Sequence, residues 1–187
     1  MASMASMAEV AAYGHSYVAG DGASTEHHRF ADLVAAELGC TARNHGVGGS
    51  LSTKTAALLR DSPPPPARVH IVMTGANDAR LHGHDARGLD EYADALRTIF
   101  TVLGSDLIVA VEQPYLADYS LHAPFDRGSD AAFDDYNRTL REVAAGVIVC
   151  PVTEWDRETM IAPDTVHPND LGHRAIADAV LRSLGNR

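Results

Sequence analysis

Val69-His70-Ile71-Val72-Met73 is apolar almost from end to end, without the in–out alternation of a strand that faces water on one side. A strand of this kind needs cover on both faces, which is the situation of a central strand in a parallel sheet. Four further short stretches read as strands: Val10–Tyr13, Thr41–Asn44, Leu107–Val111 and Val147–Val149. Thr41–Asn44 is polar and suits a sheet edge. Helical faces separate them. Phe30, Leu33, Val34 and Leu38 share one face, and Gly39 stops it. Leu51–Arg60 is a second helical stretch, closed by Asp61-Ser62 and the stiff connector Pro63–Pro66. Tyr92, Leu96, Ile99, Phe100 and Leu103 mark a third, ended by Gly104. Phe133, Tyr136, Leu140 and Val143 mark a fourth, and Leu171, Ile176, Val180 and Leu184 the last. Strands alternating with helices predict an α/β fold, with a five-stranded parallel sheet, helices on both faces and right-handed crossovers.

The length of 187 residues suits one domain, taken here as residues 8–187. Residues 1–7, Met-Ala-Ser-Met-Ala-Ser-Met, lack the basic and long apolar regions of a signal peptide and read as a flexible extension. A formal net charge of -10 argues against nucleic acid or an anionic membrane surface as partner, since both call for a basic face. No apolar run has the length of a membrane span. Cys40 and Cys150 are too few for a disulfide framework or a cysteine-rich zinc site, so a reduced, cytoplasmic protein is expected.

In an open α/β sheet, ligands bind beyond the carboxyl ends of the strands. Gly14-His15-Ser16 follows the first strand, and Asn44-His45-Gly46-Val47-Gly48-Gly49 closes the second. Gly75-Ala76-Asn77-Asp78 follows the third and Gln113-Pro114-Tyr115 the fourth. Asp164 and His167 come after the fifth. The acid–histidine pair alone has an ordinary reading, a surface acid capping the next helix beside a solvated histidine. Convergence on one rim gives it another. A serine hydroxyl attacks a carbonyl only when a base takes its proton. His167 is the candidate base for Ser16, and Asp164 would hold its ring in the useful tautomer. The backbone N–H groups of Ser16 and Gly49 and the amide of Asn77 are candidate donors to the oxyanion of a tetrahedral intermediate. None of this chemistry calls for a cofactor or a metal. Gln113–Arg127 reads as a long irregular stretch, and loops of that length often act as lids or binding loops.

Four of these blocks, Gly14–Ser16, Asn44–Gly49, Gly75–Asp78 and Asp164–Pro168, within residues 10 to 175, resemble the SGNH hydrolases, also called the GDSL esterase/lipase family. The resemblance implies a flavodoxin-like three-layer α/β/α sandwich with sheet order 2-1-3-4-5. It implies Ser16 as nucleophile, Asp164 and His167 as its triad partners, Gly49 and Asn77 as oxyanion donors, and a small-molecule ester as substrate; the small domain and modest loops between the blocks favour a short acyl group. Two rival functions stand beside ester hydrolysis. One is an acyltransferase using the same triad; the other is a catalytically weak binding or accessory protein of the same fold. The family's first block usually has aspartate where this chain has His15. Three readings follow: a residue that only fills the turn, one that tunes the site or touches substrate, or the mark of a lost activity.

Candidates for the substrate pocket are His15, Tyr17, Leu51, Arg80, His82, Tyr115 and Leu116; Arg80 reads first as an exposed surface arginine and second as a partner for an anionic substrate group. Asp21, between two glycines, reads as a turn residue. His70 reads as a satisfied core histidine, Asn137 as a structural hydrogen-bonding residue, and Trp155 as packing beneath the Asp164 loop. Cys40 and Cys150 fall at opposite edges of the implied sheet, which predicts two free thiols.

Overall fold

The computed structural model describes residues 9–104 and 106–185; the N-terminal repeat lies outside them. Five strands, β1 (Glu9–Gly14), β2 (Thr41–Gly46), β3 (Val69–Met73), β4 (Ile108–Val111) and β5 (Ile148–Cys150), form one sheet. All pairings are parallel and the order is β2-β1-β3-β4-β5, as expected. The polar strand β2 takes one edge. Gly14 stands level with both Gly46 and Met73, so the chain leaves β1, β2 and β3 at one common rim.

Side-chain alternation along the inner strands divides the core in two. Val10 and Ala12 of β1, with Val69, Ile71 and Met73 of β3, face the larger cluster. There they meet Phe30 and Val34 of α2 (Phe30–Glu37) and Ile176 and Val180 of α7 (Asp170–Gly185), together with Phe133 and Tyr136 of α6 (Asp130–Val143). Ala11, Tyr13 and Val72 face the opposite way, against Leu59 of α3 (Ser52–Asp61) and Ile99 and Leu103 of α5 (Ala86–Leu103). The result is a three-layer α/β/α arrangement. Each large apolar side chain withdrawn fully from water in these layers stabilises the fold by about 1.5–3 kcal/mol.

Two short helices were not separable in the sequence: α1 (Ser16–Ala19) and α4 (Ala76–His82). Both begin within the motif blocks, directly beyond β1 and β3. The expected face of α7 is corrected at one position. Leu171 is 60% exposed, whereas His173 is fully buried. The His173 ring accepts the Phe30 amide at Nδ1 (3.3 Å) and donates from Nε2 to the Asp21 carbonyl (3.2 Å), which joins α7 to α2 and to the turn after α1. His70 is a satisfied core histidine, held between the Tyr13 hydroxyl (3.1 Å) and Asp106 (3.0 Å). Asn137 exchanges two hydrogen bonds with the Gln113 backbone, at 2.8 and 3.0 Å. Trp155 is half-buried against the core and donates to the Tyr115 carbonyl at 2.8 Å. Cys40 and Cys150 are both free thiols.

Candidate active site

Ser16 opens α1 immediately after β1. Gly14 makes the turn possible: its φ is +146°, and a Cβ there would sit 1.8 Å from the Met73 carbonyl oxygen. His15 is the N-cap of α1. Its Nδ1 accepts the Tyr17 amide at 3.3 Å, which fixes the tautomer and leaves Nε2–H to donate to Gln113 Oε1 at 2.9 Å. The Gln113 amide nitrogen in turn donates to the Thr74 carbonyl at 3.2 Å. Burial keeps the ring neutral by pushing its pKa down to about 4, against the opposing pull of the Gln113 bond. At this position His15 does a cap's work with a ring nitrogen, as a carboxylate oxygen would.

The glycine-rich turn after β2 is tied down from several sides. Asn44 donates to the Val18 carbonyl and accepts the Gly46 amide at 2.9 Å. Ser50 donates to the Gly14 carbonyl at 3.3 Å. Asp78 is buried and accepts both the amide and the hydroxyl of Ser52, the latter at 2.6 Å, so it anchors the start of α3. Burial raises the Asp78 pKa, and the Ser52 bonds partly offset that. Gly49 has φ +70° with open space around its Cα, so the backbone conformation is what favours glycine there. Asn77, in the first turn of α4, donates one Nδ2 hydrogen to the Ser50 carbonyl at 3.0 Å.

Asp164 and His167 lie in a loop that closes on itself. Ile161 and Pro168 form an isolated antiparallel bridge at its base, and the Ala162 amide donates to the His167 carbonyl at 2.7 Å. Asp164 Oδ2 meets His167 Nδ1 at 2.6 Å, while Oδ1 accepts the amides of Val166 (3.0 Å) and His167 (2.9 Å). Partial burial pushes the Asp164 pKa up, but the bonds from His167 and Val166 outweigh it and hold the carboxyl below its ordinary value. The capping role open to Asp164 in the sequence belongs to Asn169, whose side-chain oxygen accepts the amides of Leu171 (3.0 Å) and Gly172 (3.1 Å). Thr165, between Asp164 and His167, has φ +70°, an outlier for a β-branched residue. The Tyr17 hydroxyl donates to the Val166 carbonyl and ties this loop to the residue after Ser16.

These elements meet around a cleft of about 240 Å³. Ser16, Gly49, Asn77 and His167 line it, together with Asp21, Gly48, Arg80, His122, Phe125 and Val166. Of the seven pocket candidates, Arg80 lines the cleft. The others are placed elsewhere. His15 is buried beneath α1, and Tyr17 is buried with its hydroxyl on the 161–168 loop. Leu51 flanks the start of α3, and His82 packs near Gly88. The Tyr115 hydroxyl turns to Asp134 at 2.6 Å, and Leu116 is in the core.

Asp21 is more than a turn residue: its carboxylate stands 3.7 Å from His167 Nε2. His122 and Phe125 reach the cleft from the long stretch after β4, where His122 Nε2 donates to the Asp164 carbonyl at 3.0 Å. The unusual length of that stretch was the available signal for them.

The sequence profile of the GDSL-like lipase/acylhydrolase family matches residues 12–175. No curated protein matches the chain. Among solved structures, it is similar to the lipase/acylhydrolase from Enterococcus faecalis, at 20% identity over 97% of each chain and a TM-score of 0.77. A catalytic mutant of an acetylxylan esterase from Geobacillus stearothermophilus is 21% identical over 95% of this chain and 94% of that one, with a TM-score of 0.66. The family 3 carbohydrate esterase of Clostridium thermocellum is 18% identical over 94% of each chain, with a TM-score of 0.67. At these identities the three share its fold.

Proposed function

The chain belongs to the GDSL-like lipase/acylhydrolase family, hence is an esterase by family, and we propose that it hydrolyses a short-acyl carboxylic ester through a Ser16 acyl-enzyme. The observation that carries this reading is that Ser16, Gly49, Asn77 and His167 line one cleft while Asp164 engages the Nδ1 side of His167. Ser16 Oγ attacks the acyl carbonyl and His167 Nε2 takes its proton. Asp164 holds the opposite ring nitrogen and stabilises the imidazolium. The charge that forms on the carbonyl oxygen is met by the Ser16 and Gly49 amides and by Asn77 Nδ2. A first-turn helix amide such as that of Ser16 has no partner within its own helix and is available for this task. His167 then gives its proton to the leaving alcohol. Water, deprotonated by the same ring, releases the acid and restores Ser16.

A volume of about 240 Å³ favours a small acyl group, since drug-sized ligands occupy pockets of about 300–1,000 Å³. The acetyl esters named for the Geobacillus relative are of this size class. The capping role of His15, outside the cleft lining, supports an active serine over a decayed site. We assign this chemistry to one hydrolase domain over residues 8–187. A cytoplasmic location suits the two free thiols; among the described residues no helix is long and apolar enough to cross a membrane.

The test is a p-nitrophenyl ester series from acetyl to long chain, with Ser16→Ala as the blank. Turnover should be highest for short acyl groups and should vanish in the variant, and a fluorophosphonate should label Ser16. Near-wild-type turnover by Ser16→Ala would show that another residue attacks. Rates that rise with chain length would contradict the acyl preference.

A further inference from the structure

Arg80 is 6% exposed, the most buried arginine among the described residues of a chain rich in carboxylates. More exposed arginines have close acidic partners: Arg141 with Glu112 at 2.6 Å, Arg157 with Asp130 at 2.7 Å, Arg29 with Asp32 at 2.8 Å. Among the described residues Arg80 has no salt bridge. Its guanidinium has one long hydrogen bond, from Nη1 to Asn77 Oδ1 at 3.4 Å, and lies over the Phe125 ring with Cζ 5.7 Å from the centroid. Its Nε–H is buried with no acceptor.

The surroundings hold the group in place. The Arg127 amide donates to the Arg80 carbonyl at 2.9 Å, and Gly128 packs so close that a Cβ there would stand 3.2 Å from Arg80 Cγ. A guanidinium carries five donors in a planar fork. Leaving a buried charge this poorly paired is costly unless another group completes it. The open side is the cleft itself, which Arg80 lines together with Ser16, Asn77 and His167.

The geometry points to a substrate that brings the missing anion: the ester cleaved at Ser16 carries a carboxylate or similar oxyanion near its scissile bond, and Arg80 binds it. This rests on the esterase reading above. The anion can belong to the acyl part or to the alcohol part, and matched substrates separate the two. For the acyl arm, p-nitrophenyl hemisuccinate is compared with the neutral p-nitrophenyl levulinate. For the alcohol arm, 4-acetoxybenzoate is compared with 4-acetoxyacetophenone. Each ratio of kcat/KM, anionic over neutral, is measured in the wild type, Arg80→Gln and Arg80→Lys. Using the ratio cancels leaving-group reactivity and any general loss of rate.

In one arm the ratio should fall about 10- to 100-fold in Arg80→Gln, the range for a lost charge-assisted hydrogen-bond pair, and be largely kept in Arg80→Lys. Ratios unchanged in both arms overturn the inference, because a guanidinium that only braced Asn77 would slow both partners equally. The wild type supplies a second measurement that no folding defect can obscure. Succinamate should inhibit at lower concentration than succinamide, or 4-hydroxybenzoate at lower concentration than 4-hydroxybenzamide; equal inhibition in both pairs overturns the inference. Hydrolysis of the neutral esters with no anion preference defeats the role of Arg80 alone. No hydrolysis of any of the four esters defeats the esterase reading and this one together.

Discussion

The stability of this fold should depend on pH through His15, and the size of the effect can be worked out. Burial brings the His15 pKa from 6.5 down to about 4. Between those values the unfolded chain binds a proton here that the folded chain refuses, so acid favours unfolding. The contribution is complete above pH 6.5 and is lost as pH falls toward 4. Integrated from pH 7.5 to 4.5, one such histidine removes about 2.5 kcal/mol of stability. His173, also lowered to about 4 by burial, adds a similar amount. Together they are large against a typical total of about 5–15 kcal/mol. Asn at position 15 can cap α1 but does not titrate. Urea unfolding followed by the fluorescence of Trp155, the sole tryptophan, gives the free energy at each pH. His15→Asn also loses the buried Gln113 bond, which lowers its curve at every pH and leaves the slope to be read. Between pH 7.5 and 4.5 the variant should lose about 2.5 kcal/mol less than the wild type. Equal losses in the two proteins would refute a buried, neutral His15.

Two further outcomes follow from the site. Asn77→Ala should lower kcat for a short ester by about 10²–10³, with KM little changed, in steady-state kinetics, as expected for a donor that acts mainly on the oxyanion. A proportional rise in KM with kcat intact would assign Asn77 to ground-state binding. Thr165→Asn should raise stability by about 1 kcal/mol in chemical denaturation, because asparagine tolerates the left-handed backbone that a β-branched residue resists. A destabilised variant would mean that the Thr165 side chain itself supports the loop.

Much of the layered fold is legible in the sequence because its signals are local. The apolar run Val69–Met73 defines the centre of the sheet and the polar Thr41–Asn44 its edge. The blocks that hold Ser16, Gly49, Asn77 and His167 are legible for a related reason: strand ends fix which loops share a rim. Which way a side chain turns beyond a strand end is not local. Tyr115 and Leu116 follow β4 as expected, yet one turns to an acid on α6 and the other enters the core. The cleft wall comes instead from His122 and Phe125, placed by a loop that crosses to the Asp164 carbonyl. Spacing likewise gives Asp164 no priority over Asn169 as the cap of α7, because both precede the helix. The structure separates them by directing Asn169 to the helix amides and Asp164 to His167. Leu171 fits the apolar period but lies at the first turn of α7, where the helix still faces water.

The bridge between Ile161 and Pro168 makes Asp164 and His167 one mechanical part. Their separation is set within a span of eight residues, so flexing of the sheet does not change it. Under the proposed mechanism the rest of the molecule must hold the distance from that part to Ser16. The Tyr17 hydroxyl spans that gap from the residue next to Ser16. Ser16 and the Asp164–His167 loop are thus two pieces tied directly by the Tyr17 hydroxyl, and the His122 bond to the Asp164 carbonyl secures the loop from a second side.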